Sequence, residues 1–178
     1  MQTIGQILLA LAFCLAAALP ARADQANYEA LLTRLAAATS QQEADQLSGE
    51  IWQVWLTAPD EAAQAVLDEA LSRRRSYDFL GAIHHLDKLV TDWPNYAEGW
   101  NQRATLHFLR GDFEASLADV ARVLALEPRH FGALSGKAVI LHQQGRAALA
   151  QIALREALTH HPFLRERALL NNVPGTDL

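Results

Sequence analysis

The chain has one cysteine, Cys14, and it sits inside an apolar run, so a disulfide framework is excluded and no thiol nucleophile stands anywhere else. Positive charge is also scarce: 15 Lys and Arg face 20 Asp and Glu, a formal net charge of −5. Nucleic-acid binding draws on concentrated cations that neutralise phosphates, and here they are scattered, so no nucleic-acid partner is expected. Missing too are an HExxH pair, a phosphate-cradling glycine loop and a nucleophile spaced from a base. Gly132 and Gly136 stand four apart, but no Lys-Thr pair follows in frame. They are read as permitting a close backbone approach by a neighbouring helix or a ligand. No enzyme activity and no cofactor are expected.

Long apolar stretches are limited to one. Ile4 to Leu19 is an apolar run of 16 residues, short of the roughly 20 needed to span a bilayer. Pro20 and Ala21-Arg22-Ala23 follow it, a pattern that looks like a secretory signal peptide over 1–23, cut before Asp24. A lipid anchor at Cys14 is not expected, since the bulky Phe13 precedes it. Without Arg22 the mature chain carries 14 − 20 = −6 charges and no membrane span. Its length suits a single domain.

Seven histidines invite a metal site, above all His84-His85 and His160-His161. Adjacent residues on a helix point about 100° apart and rarely share one ion, so no metal ligand is assigned. His107 is read as a satisfied core histidine. Arg73-Arg74-Arg75 is read as a solvated face paired with Asp68, Glu69 and Asp78 near a helix end.

What the chain does have is a period. Pro94, Pro128 and Pro162 stand 34 residues apart, and the same step joins Ala70 to Ala104 to Ala138, Ala82 to Ser116 to Ala150, and Phe79 to Phe113 to Ala147. Each proline ends an amphipathic run. One helical hairpin is written three times, and a unit this short buries its apolar face only by stacking on copies of itself. The fold class expected is all-α, a solenoid of antiparallel hairpins.

The first hairpin is expected over Asp60 to Ser76 and Phe79 to Trp93, turning near Tyr77-Asp78. The second begins with Tyr96 to Leu109 and turns at Gly111, where the missing Cβ permits a left-handed residue, with Asp112 capping the next helix. Leu117, Val120, Val123 and Leu124 give that helix one apolar face before Glu127-Pro128 stops it. The third turns at Gly145. Small residues at Ala104 with Ser116, and at Ala138 with Ala150, suit the close crossing of two helices. Trp100, with Val66 and Leu134, is expected to pack between hairpins. Two further helices, Ala26 to Ala38 and Gln41 to Leu56, the second opened by the capping box Ser40 to Glu43, form a degenerate hairpin over 24–58. It is expected to be the amino-terminal cap. The domain reading is completed by 59–170, three repeats plus a last amphipathic helix from Pro162 to Leu170 over Leu154 and Leu158, and by a disordered tail over 171–178.

These residues resemble the tetratricopeptide repeat family: Trp100, Ala104, Gly111, Phe113, Ser116, Val123 and Pro128 fill its tryptophan, small, glycine, aromatic, small, apolar and proline columns. Three repeats cover Ala63 to Leu164, the third with Leu134 for the tryptophan and Ala147 for the aromatic. The runs AEGWNQRAT and PRHFGALSG look like small exported members in Gram-negative bacteria, which implies a periplasmic location. The resemblance implies a right-handed α-solenoid whose first helices line a concave groove. That groove would present Glu98, Asn101, Thr105 and Phe108, then Ser135, Val139 and His142, with Arg129 and His130 at the junction. Such a set suits an extended peptide held along its backbone. The family's carboxylate clamp is not reproduced, since Asn101 is present but the lysines are not. The expected function is a non-catalytic adaptor for a protein or peptide, the alternative a metal-binding or accessory subunit of an envelope enzyme or maturation complex. Self-association is a third reading.

Overall fold

The computed structural model describes residues 25–172, so the expected signal peptide and residues 173–178 lie outside it. Helix α1 covers 25–36 and α2 is Gln41–Trp55. Three hairpins follow: α3 (Glu61–Arg75) with α4 (Phe79–Asp92), α5 (Ala97–Leu109) with α6 (Phe113–Leu126), and α7 (Phe131–Gln143) with α8 (Ala147–His160). A 3-10 helix, Arg165–Asn172, closes the described chain. No strand occurs among the described residues.

Local chemistry fixes the ends of these helices. Asp60 and Asp78 accept the amides of Ala63 and Gly81, and Ser40 accepts that of Glu43. Asp112 does not cap α6 as expected; its carboxylate is taken by Arg110 Nε at 3.2 Å. Each hairpin turns through one left-handed residue, Gly111 at φ +80°, Gly145 at +72° and Tyr77 at +62°. The three stand one period apart, so the first repeat places a tyrosine where its copies place glycine. At the waist of the second hairpin, Ser116 Oγ donates to the Ala104 carbonyl at 2.7 Å, while Ala70, Ala82, Ala138 and Ala150 are buried at the matching crossings.

Trp100 packs against the core of Ala104, Val120, Val123 and Ala133, which joins the second hairpin to α7. It is half-buried, donates to the Pro94 carbonyl and carries Arg103 over its ring at 4.9 Å. The arginine's fork is held by Asp119 at 2.8 and 2.7 Å. Leu134, at the matching position of α7, is the fully buried one.

The amino-terminal hairpin departs furthest from expectation. It does not cap the first repeat. Leu31, Leu32 and Leu35 of α1 and Leu47, Ile51 and Trp55 of α2 share one core with Phe131 and Leu134 of α7, Ala157 of α8 and Leu164. The core of the first repeat takes nothing from α1 or α2. Both ends of this choice have a cause. α3 keeps Glu61, Ala62, Ala65, Asp68 and Glu69 exposed and needs no cover. α7 spreads Phe131, Leu134, Ile140 and Leu141 over more than one face, so the face that carries Phe131 and Leu134 is covered by α1 and α2. The expected final helix is 3-10, begun by the i to i+3 bonds of Leu164 and Arg167 after Pro162 has removed a donor. Its Leu169 and Leu170 still pack on the core of Leu154 and near Leu158.

Candidate functional site

Between α5 and α7 a cavity of about 270 Å³ stays open beyond the reach of α2. Asn101, Thr105 and Phe108 line it from α5, and Ser135, Gly136 and Val139 from α7. Gly136 meets nothing within 4 Å at its Cβ position, so the cavity reaches the helix backbone there. Gly132 closes the near end: a Cβ on it would lie 2.9 Å from the Trp52 ring, which makes it the close approach between α7 and α2. The cavity carries one charged residue, Glu166 of the 3-10 helix.

Of the residues expected in the groove, Asn101, Thr105, Phe108, Ser135 and Val139 meet around this cavity. Glu98 and His130 are not presented at all; they are 1% and 0% exposed and bonded to each other. Arg129 is drawn away to Glu29 of α1 at 2.8 Å and to Glu127 at 3.7 Å. His142 is exposed and does not line the cavity.

The buried pair organises one wall. His130 Nδ1 accepts the Ala133 amide at 3.1 Å and so caps α7, which leaves Nε2 as the protonated nitrogen, 3.0 Å from Glu98 Oε2. Asn101 Nδ2 donates to the same oxygen at 3.1 Å, and Gln102 donates to Glu98 Oε1. Gln102 in turn accepts from Arg74 at 2.6 Å. Every polar atom of Glu98 is therefore satisfied without water, as a buried carboxylate requires. Asn101 is the member that also faces the ligand space, and its orientation is set by a bond made behind it.

Trp55 of α2 stacks on His130, and its indole donates to Tyr28 Oη at 2.8 Å, which donates to Glu127 at 2.7 Å. Burial, then the bond to Glu127, pushes the Tyr28 hydroxyl well above the usual phenol range, so it stays a donor. Tyr96 Oη closes the arrangement on the Trp55 carbonyl.

The histidines do not gather. Among the described residues no group of three or more His, Cys, Asp or Glu is placed to hold a metal ion. His107 is not the satisfied core residue expected of it: its Nδ1 is buried without a partner, and Asp119 lies 3.8 Å from its Nε2. Arg73 is spent on Glu69 and Asp78, both at 2.8 Å, and makes no anion site. No helix of the described residues is long and apolar enough to cross a membrane.

The tetratricopeptide repeat family profile matches residues 67–123 and 101–164, together more than half of the chain. The chain belongs to the tetratricopeptide repeat family. Its hairpins form the α-solenoid of that family, and the cavity lies between first helices of adjacent repeats. A TPR repeat-containing protein of Rhizobium etli is 42% identical over 95 residues, which cover 53% of this chain and 45% of that one. This chain thus spans less than half of that relative. Among solved structures, MamA superposes at a TM-score of 0.59 with 16% identity, over 75% of this chain and 82% of its own. The TPR2AB domain of yeast Sti1, in its pHSP90 complex, superposes at 0.55 with 19% identity, over 82% of this chain and 56% of its own. At those identities the likeness is one of fold.

The residues that sequence reasoning missed are Trp52 and Glu166. Gly132 and Gly136 are legible in the sequence, because glycine is costly in a helix interior and marks a place of close approach. Nothing local points to Trp52 or Glu166, which reach the site from other elements.

Proposed function

We propose that this tetratricopeptide protein is a non-catalytic adaptor, exported to the periplasm, that holds an extended segment of a protein partner in the cavity between α5 and α7. The observation that carries the reading is Asn101: a side-chain amide anchored from behind by buried Glu98, at the edge of a trough whose surface is mainly apolar. An anchored amide with an oxygen to spare suits a peptide backbone, and the apolar trough suits one side chain of that peptide. The pHSP90 complex of the Sti1 domain supports the reading at the level of fold. Export rests on the apolar run from Ile4 to Leu19 and the Ala21-Arg22-Ala23 that follows it.

The test is Gly136→Leu. Its Cβ has open space, so the variant fills the trough without touching the core. Immobilised wild-type chain should retain a defined partner from an envelope extract, and Gly136→Leu of equal thermal stability should lose it. Equal retention by both places binding elsewhere and removes the groove from the account.

A further inference from the structure

The trough has a polarity along its length. One end holds Phe108, Val139 and Ala104; at the other stands Glu166, half-buried, with no ion pair or side-chain hydrogen bond among the described residues. Glu166 also lines a second cavity of about 330 Å³, which shares Gly132 and Ser135 with the first and so continues it under the 3-10 helix. That second space is polar and acidic: Asp45 and Gln41 of α2 line it, and so does His161, 5% exposed, whose Nδ1 has no partner. Asp45, itself exposed, receives the Gln41 amide at 2.8 Å and pairs with no cation among the described residues. Arg165 is the single cation on its wall, and it is exposed.

Unpaired carboxylates around a cleft walled by apolar surface concentrate their field on whatever enters. We infer that the continuous trough selects a peptide segment pairing an apolar side chain, seated between α5 and α7, with a cationic group a few residues away, received by Glu166 and Asp45. The cation is a lysine or arginine side chain or a free amino terminus, since each brings the same charge and donors. This is opposite in sign to the carboxylate-binding clamp that the chain does not reproduce, and it agrees with an overall charge of −5. The inference rests on the groove reading and adds the chemistry of its ligand.

The test uses the full chain and three fluorescent octapeptide pools, acetylated at the amino terminus, degenerate except for a fixed leucine and, three residues later, lysine, glutamine or glutamate. Anisotropy titration should give affinities in the order lysine, glutamine, glutamate, with the lysine pool about ten-fold tighter than the glutamine pool at low salt and the gap narrowing as salt rises. In Glu166→Gln with Asp45→Asn the lysine and glutamine pools should bind alike, the roughly ten-fold preference for lysine being lost. A fourth pool, glutamine with a free amine, assigns the preference to a side chain or to a terminus. Equal binding of the lysine and glutamate pools overturns the inference and leaves the groove reading standing, as does a lysine preference that survives in the double variant. Failure of every pool to bind overturns both.

Discussion

Trp55 lies flat on His130, ring centroids 3.8 Å apart and planes within 12°. The two residues are on different hairpins, and the stack fastens the amino-terminal helices to the start of α7 directly above the buried Glu98. One aromatic contact thus covers a buried hydrogen-bonded pair and seats a hairpin.

Trp55→Ala should remove that fastening. The side chain is buried, so truncation should cost about 3–5 kcal/mol, read as a lower midpoint in urea unfolding. A loss below about 1 kcal/mol would mean that α1 and α2 are held by their leucines alone.

Glu98→Ala should be as damaging for a different reason. It leaves the His130 Nε2 hydrogen and the amides of Asn101 and Gln102 facing a vacated, dry site, and each buried donor left unsatisfied costs about 1–3 kcal/mol. A double-mutant cycle with His130→Ala should show the two losses to be far from additive. Additive losses would mean that the pair is not coupled.

Tyr77→Gly should stabilise the chain. Tyr77 is 82% exposed and sits at φ +62°, so it gains little by burial and bears a strain of about 1–2 kcal/mol that Gly111 and Gly145 avoid. Part is returned as unfolded-state entropy, leaving a net gain of about 0.5–1 kcal/mol. Differential scanning calorimetry should show a melting temperature higher by about 1–4 °C. Gly111→Ala should move it in the opposite direction.

Acid should weaken the fold before its carboxylates titrate. Burial holds both His161 and His160 below the ordinary histidine value of 6.5. Above pH 6.5 both are neutral folded or unfolded and contribute no slope. Below it the unfolded chain binds protons that the folded chain refuses, so stability falls as pH drops from 6.5 through the folded values. Urea midpoints at pH 8 and 7 should agree and that at pH 5.5 should be lower, with a smaller drop in His161→Leu. A midpoint that rises on acidification would reverse the assignment.

The three hairpins, their turns at Gly111 and Gly145, and the small residues at Ala104 and Ser116 were legible because each rests on neighbours within one repeat of 34 residues. Phe108, Thr105 and Val139 were legible as groove residues through the resemblance to the tetratricopeptide family, whose first helices line the groove. By the same resemblance Glu98 was expected on that face and His130 at the junction. Only the stacking of two repeats, which brings residues 32 apart in the chain to 3.0 Å, turns them inward into a pair.

By itself the sequence determined the helices, their pairing into hairpins and the order in which the hairpins stack, since propensity, capping and a fixed period act over short chain distances. The tertiary structure alone decided where the amino-terminal hairpin rests. Its apolar face could satisfy the burial requirement on any uncovered apolar surface. α3 turns polar residues outward, whereas α7 carries Phe131 and Leu134 on a face its own hairpin leaves uncovered, so α2 settles on α7, sets Trp52 against Gly132 and leaves open the trough that ends at Glu166. That outcome depends on the sum of buried area across contacts some 75 to 100 residues apart, such as Trp55 on His130 and Arg129 on Glu29, and no local pattern encodes such a sum.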